Sequence, residues 1–86
     1  MPYIIEFTNS AAKDFSKTRD RQLKEKIGVA LEELANNPLS GKPLQGELKS
    51  CYSYRIGDHR VVYTFSAKRN TLSVLKISHR KNVYKI

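Results

Sequence analysis

The chain has 86 residues, sixteen Lys/Arg against eight Asp/Glu for a formal net charge of +8, and one cysteine. That length holds a single domain over residues 1–86 and no second core. Cys51 cannot close an internal disulfide, which fits a reducing cytoplasm and excludes a disulfide-stapled miniprotein. No run nears the ~20 apolar residues of a membrane-spanning helix, so no membrane partner is expected.

The start, Pro2-Tyr3-Ile4-Ile5-Glu6-Phe7, carries no basic leader and its apolar stretch is broken by Glu6, so it reads as a first strand and not as a signal peptide. Asn9 or Ser10 is placed to cap a short helix with Ala11, Ala12 and Phe15 on one face. Leu23, Ile27, Ala30, Leu31 and Leu34 recur at helical spacing, predicting a second helix from about Asp20 to Ala35 that Asn36-Asn37-Pro38 stops. Gly28 inside it costs about 1 kcal/mol against alanine, a hint of close packing there. Leu39 to Gly46 is rich in turn residues and reads as a connection.

The second half reads as an antiparallel meander. Cys51 to Ile56 and His59 to Ser66 are strands joined by a Gly57-Asp58 turn, Ala67 to Asn70 turns again, and Thr71 to Ser78 is the last strand. The tail from His79 forms a short helix or arm. The expected fold is α+β, an antiparallel sheet packed against two N-terminal helices in the order strand-helix-helix-strand-strand-strand.

The turn sets the register: Arg55 faces Arg60, Ser53 faces Val62 and Tyr52 faces Tyr63. Alternation then puts Tyr52, Tyr54, Ile56, Val61, Tyr63 and Phe65 on one face, joined by Leu72 and Val74, as the core. The three tyrosines are therefore core residues and not a base-stacking platform. The other face carries Cys51, Ser53, Arg55, Arg60, Val62 and Thr64, together with Leu75, Ile77 and His79 if the second turn has four residues. The apolar strip Val62, Leu75 and Ile77 among cations predicts a covering by the C-terminal arm or by a partner segment.

Charge is segregated along the chain. Residues 1–47 hold seven bases and seven acids, whereas residues 48–86 hold nine bases and one acid, Asp58. Such a field suits a polyanion, with a polyphosphate backbone first. Opposed arginines destabilise a strand pair by about 0.2–1 kcal/mol, so Arg55 and Arg60 read as a phosphate clamp. His79, returned by the hairpin to the same end of the sheet, is a candidate general acid or base for phosphodiester cleavage. Two histidines, one cysteine and scattered acids make no zinc set and no carboxylate pair for Mg²⁺. RNA cleavage needs none, because the substrate's 2′-hydroxyl is the nucleophile; no cofactor is expected.

Two segments, Arg55-Ile56-Gly57-Asp58-His59-Arg60-Val61-Val62-Tyr63 and Val74-Leu75-Lys76-Ile77-Ser78-His79-Arg80-Lys81-Asn82-Val83-Tyr84, resemble the C-terminal half of toxins of the RelE/ParE superfamily, closest to the RelE branch. The first strand, the helical hairpin and Pro43-Leu44-Gln45-Gly46 extend the likeness over nearly the whole chain. The resemblance implies a toxin of a type II toxin-antitoxin pair that cleaves messenger RNA in the ribosomal A site without metal and is restrained by an antitoxin. Its partners would be the cognate antitoxin, the ribosome and mRNA.

The resemblance also implies site residues. Arg60 matches the phosphate-stabilising arginine, Ser53 and Arg55 the preceding strand pair of basic residues, Tyr84 the C-terminal tyrosine, and His79 the basic or histidine position ahead of it. Lys49, Ser53, Arg80 and Lys81 would contact RNA. The chain departs from the RelE pattern in having Ser53 and Arg55 where that pattern has two lysines, and it lacks the basic residue often found near Gln45. Serine and arginine are poor general bases, so His79 is the first choice and Lys49 the second. A ParE-like toxin that binds and inhibits DNA gyrase is the alternative, and an RNA-binding accessory protein a third.

Overall fold

The computed structural model describes residues 2–44 and 50–79. Strand β1, Ile4–Phe7, leads into helix α1, Asn9–Lys17, whose cap is Thr8: its Oγ1 accepts from Ala11 N. The cap lies one residue before Asn9 because Thr8 keeps extended dihedrals while Asn9 is already helical. Helix α2, Arg21–Asn36, is capped by Asp20, whose carboxylate accepts from Gln22 N and Leu23 N. Its buried side chains, Ile27, Ala30, Leu31, Leu34 and Ala35, follow the helical period. Nothing stands within 4 Å of where a Cβ on Gly28 would be, so the close packing expected there is absent.

A single turn of 3₁₀ helix, Pro38–Ser40, is followed by β2, Lys42–Pro43, a two-residue strand within what the sequence reads as a plain connection. Strands β3, Tyr52–Ile56, β4, His59–Ser66, and β5, Thr71–His79, form the meander. Gly57 has φ +56° and Asp58 does not share it, the signature of a two-residue turn with glycine at its first central position.

The sheet order is β1-β5-β4-β3-β2, and β1 runs parallel to β5, so the sheet is mixed where an antiparallel one was expected. Two helices connect β1 to the meander, which gives the chain the length to return to β1 in the parallel sense. The β3–β4 register is the expected one: Arg55 pairs with Arg60, Ser53 with Val62 and Tyr52 with Tyr63.

The β4–β5 register departs from expectation. A bulge shifts the pairing so that Tyr63 faces Val74 while Val62 faces Lys76, leaving Leu75 as the extra residue. Beyond it the side chains change face: Ile77 pairs with Val61 and joins the core at 5% exposure, and His79 pairs with His59 on that same side. Two side chains make the bulge possible. Thr8 Oγ1 donates to Leu75 O at 3.0 Å, and Asp14 Oδ2 accepts from Ile77 N at 3.0 Å, so α1 satisfies the edge of β5 where β1 has ended.

The core lies between α1, α2 and this face of the sheet, built on Ile27, Leu34, Val61, Tyr63, Leu72 and Val74. Tyr52, Tyr54 and Phe65 pack against it, as the alternation requires, with Tyr52 stacked on Tyr63 at 5.6 Å. The expected apolar strip is not a bare patch: Val62 is fully buried, Ile77 is core and Leu75 is half-buried. Val29, an exposed apolar residue, lines an open groove of about 600 Å³ between α2 and β3, with half-buried Tyr54 and the edges of buried Ala30 and Ile56. β2 pairs only with Ser53 and Tyr52, so among the described residues no strand covers the outer edge of Tyr54–Ile56.

Candidate functional site

Alternation along β3 and β4 sends Ser53, Arg55 and Arg60 to the face away from the core, at the end of the sheet that carries the Gly57-Asp58 turn. They line a cleft of about 420 Å³ together with Ser40, Lys42 and Tyr54. Its described walls hold three cations, two serine hydroxyls and no carboxylate. Arg55 is exposed and Arg60 half-buried, so both guanidinium groups border solvent. Planar forks beside a lysine are suited to the oxygens of a phosphodiester.

His79 is not in this cleft. Arg60 pairs with Ser78, and His79, one residue on, projects to the opposite face because the bulge has reversed the alternation. There its ring meets that of His59 edge to face, centroids 5.0 Å apart. The pair borders an opening of about 450 Å³ that also includes Lys17, Arg19, Asp20 and Leu23. The sequence thus brings Arg60 and His79 to one end of the sheet as expected, but on two sides of it. His59 was overlooked as a site residue; its position as second neighbour to Val61 on the core face was the available signal.

Lys42 was overlooked too, because β2 is too short to show a period. It is the direct strand partner of Ser53. Lys49, Arg80, Lys81 and Tyr84 lie outside the described residues, as does the expected C-terminal helix or arm. Cys51 lies one residue before β3, is half-buried, and burial pushes its thiol up from the ordinary value, which fits an inert residue and not a nucleophile. Among the described residues no three His, Cys, Asp or Glu side chains are placed to hold a metal ion, and no helix is long and apolar enough to cross a membrane.

The likenesses to known proteins follow the same outline. The family model for the ParE toxin of the type II toxin-antitoxin system, parDE, matches residues 5–84. Toxin RelG of Mycobacterium tuberculosis is 35% identical over 86 residues, covering 99% of this chain and 99% of the relative. The toxin-antitoxin complex RelBE2 of Mycobacterium tuberculosis superposes with a TM-score of 0.82 at 34% identity, over 93% of this chain and 100% of that one. The intact E. coli RelBE toxin-antitoxin complex, at 22% identity and a TM-score of 0.77 over 90% of this chain and 95% of that one, shares the fold. With the family model spanning nearly the full length and a relative matching end to end, the chain belongs to the RelE/ParE superfamily of type II toxin-antitoxin toxins.

Proposed function

We propose that this toxin is a RelE-type endoribonuclease that acts in the cytoplasm, cleaving messenger RNA in the ribosomal A site without a metal ion. The observation that carries the reading is the cleft in which Arg55 and Arg60 are directly opposed, Lys42 stands near and the described walls hold no carboxylate. Opposed like charges cost a strand pair about 0.2–1 kcal/mol, and a phosphodiester neutralises them. The naming of the full-length relative as RelG supports the RelE branch over the ParE branch.

In this reading the scissile phosphate sits at the turn end of the sheet with Arg60 and Arg55 on its non-bridging oxygens. A general base takes the proton of the 2′-hydroxyl, the 2′-oxygen attacks the adjacent phosphorus, and the P–O5′ bond breaks. A 2′,3′-cyclic phosphate forms, and the protonated base returns its proton to the departing 5′-oxygen, so the catalyst is regenerated. His79, the first choice from the sequence, stands on the other side of the sheet end from the Arg55–Arg60 cleft, and its variant decides whether it is that base. Ser53, Lys49, Arg80 and Lys81 grip the backbone, and Tyr84 stacks on or orients a base. A cognate antitoxin is the second partner; the α2–β3 groove, with Val29 58% exposed, offers its segment an apolar seat beside a β3 edge that no strand covers among the described residues.

Primer extension on translated messages from cells expressing the toxin tests the reading. Cuts inside codons are expected, as is cleavage by purified protein in EDTA concentrations that leave ribosomes intact, and a 2′-deoxy substitution at the scissile site blocks it. His79→Ala tests the proton transfer: a chemical step slowed by about 10²-fold or more, with a much smaller loss of ribosome binding, assigns it to His79, and a native rate hands it to a group on the cleft side. Intact messages beside inhibited gyrase supercoiling would establish the ParE-like alternative, which shares the scaffold.

A further inference from the structure

Lys42 belongs to none of the roles assigned above, yet it shares the cleft with Arg55 and Arg60. Its register partner is Ser53, and directly opposed residues of an antiparallel pair project to one face with Cβ atoms about 4.5–5.5 Å apart. Position 53 offers only a hydroxyl there, so the charge on this part of the wall comes from the neighbouring strand.

Several contacts fix that strand. The buried Tyr63 hydroxyl donates to Pro38 O at 2.6 Å and accepts from Gly41 N at 3.0 Å, on the residue before Lys42. A Cβ on Gly41 would collide with the same phenol, so glycine is what lets the backbone approach. Past Pro43, Leu44 N donates to Cys51 O at 2.9 Å. Lys42 is therefore an exposed ammonium on a held backbone, facing a wall with no carboxylate among its described residues.

We propose that Lys42 is a third cationic ligand of the scissile phosphate and stabilises the charge that builds on it during cleavage. The inference rests on the nuclease reading of the same cleft. A lysine is a compact point charge that reaches a non-bridging oxygen without the planar alignment a guanidinium fork requires. It complements the two arginines and does not duplicate them.

Single-turnover cleavage of messenger on programmed ribosomes tests the inference. Lys42→Met keeps the stem and removes the charge; the rate falls about 10²-fold, the loss typical of one preorganised donor to a developing anion, while thermal midpoint and ribosome affinity change far less. Adding Ser53→Lys to that variant returns an ammonium to the same face from the partner strand, and the rate recovers to within about tenfold of the native one. A native rate for Lys42→Met overturns the inference, as does a folded double variant with no recovery, and in either case the nuclease reading stands. A native protein that cuts no messenger under these conditions removes the nuclease reading and the role of Lys42 together.

Discussion

Tyr63 sits fully buried in the core while its hydroxyl makes the two hydrogen bonds that hold the chain entering β2. Phenylalanine at this position would keep the packing against Tyr52 and leave Pro38 O and Gly41 N without their partner. Stranded buried groups cost about 1–3 kcal/mol each, so Tyr63→Phe is expected to lower unfolding free energy by at least about 1 kcal/mol in urea titrations and to blunt cleavage through displacement of Lys42. Burial pushes the Tyr63 phenol above its ordinary value, with the Gly41 N–H opposing the shift. A folded-state value above the unfolded one near 10 means this stability is complete below pH ~10 and lost as pH rises through the folded value. The native protein should therefore lose stability above pH ~10 more steeply than Tyr63→Phe. Some alkaline sensitivity stays in the variant, because the hydrogen bond from Tyr54 to Glu33 raises that phenol as well.

Arg60 is placed to act on the ligand, facing Arg55 directly across β3 and β4 on the cleft side of the sheet. Arg60→Ala should fold yet fail to inhibit growth when expressed. Toxicity equal to the native protein in a folded Arg60→Ala variant removes Arg60 from the mechanism.

At the level of elements, the junction of β1, α1 and β5 decides which side chains reach which face. Thr8 caps α1 and also bonds the bulge carbonyl at Leu75, and Asp14 takes the Ile77 amide at 3.0 Å and the Lys76 ammonium at 3.2 Å. Asp14→Ala leaves the Ile77 amide without its acceptor and the Lys76 ammonium with Ser10 Oγ, so a loss of about 1–3 kcal/mol is expected, with faster hydrogen exchange at Ile77 as the local signature. Asp14→Asn should recover part of the loss, since an amide oxygen still accepts from Ile77 N.

The same junction explains what the sequence did and did not disclose. The period of two and the Gly57-Asp58 turn are local, and they were enough to give the Arg55–Arg60 pairing and the burial of Tyr63. The bulge depends on contacts from Thr8 and Asp14, 67 and 63 residues away in the chain, and no local pattern reports them. One inserted residue reverses every later side chain, so Ile77 and His79 were assigned to the wrong face. β2 has two residues, one of them proline, and is defined by its partner β3 and by the Tyr63 hydroxyl. Lys42 accordingly had no strand to be read from. The parallel pairing of β1 with β5 was hidden for the same reason, since an isolated apolar run does not state its neighbour.

For the molecule as a whole, the charge-balanced first 47 residues supply both helices, whose buried faces cover the sheet, while the basic remainder supplies most of the sheet. Helices thus occupy one face, and Arg55 and Arg60 of the basic half project from the other, so the field is directed and not spread evenly. A field of this kind binds a polyanion largely through released counterions, giving an affinity that falls steeply and linearly on a log-log plot against salt. For single-stranded RNA each phosphate contact contributes a slope of about 0.7. Binding of a 2′-O-methyl oligonucleotide, which cannot be cut, is expected to show this dependence, and Lys42→Met, Arg55→Gln and Arg60→Gln should each reduce the slope by about that amount. Combining all three should reduce it by about three times as much, because the side chains sit on three different strands and touch the backbone as separate point contacts. Lys13→Met on α1 carries the same charge change away from the cleft and should leave the slope nearly unaltered. An equal effect from the helix and cleft variants would mean that only total charge matters, and the directed cleft would lose its role in binding.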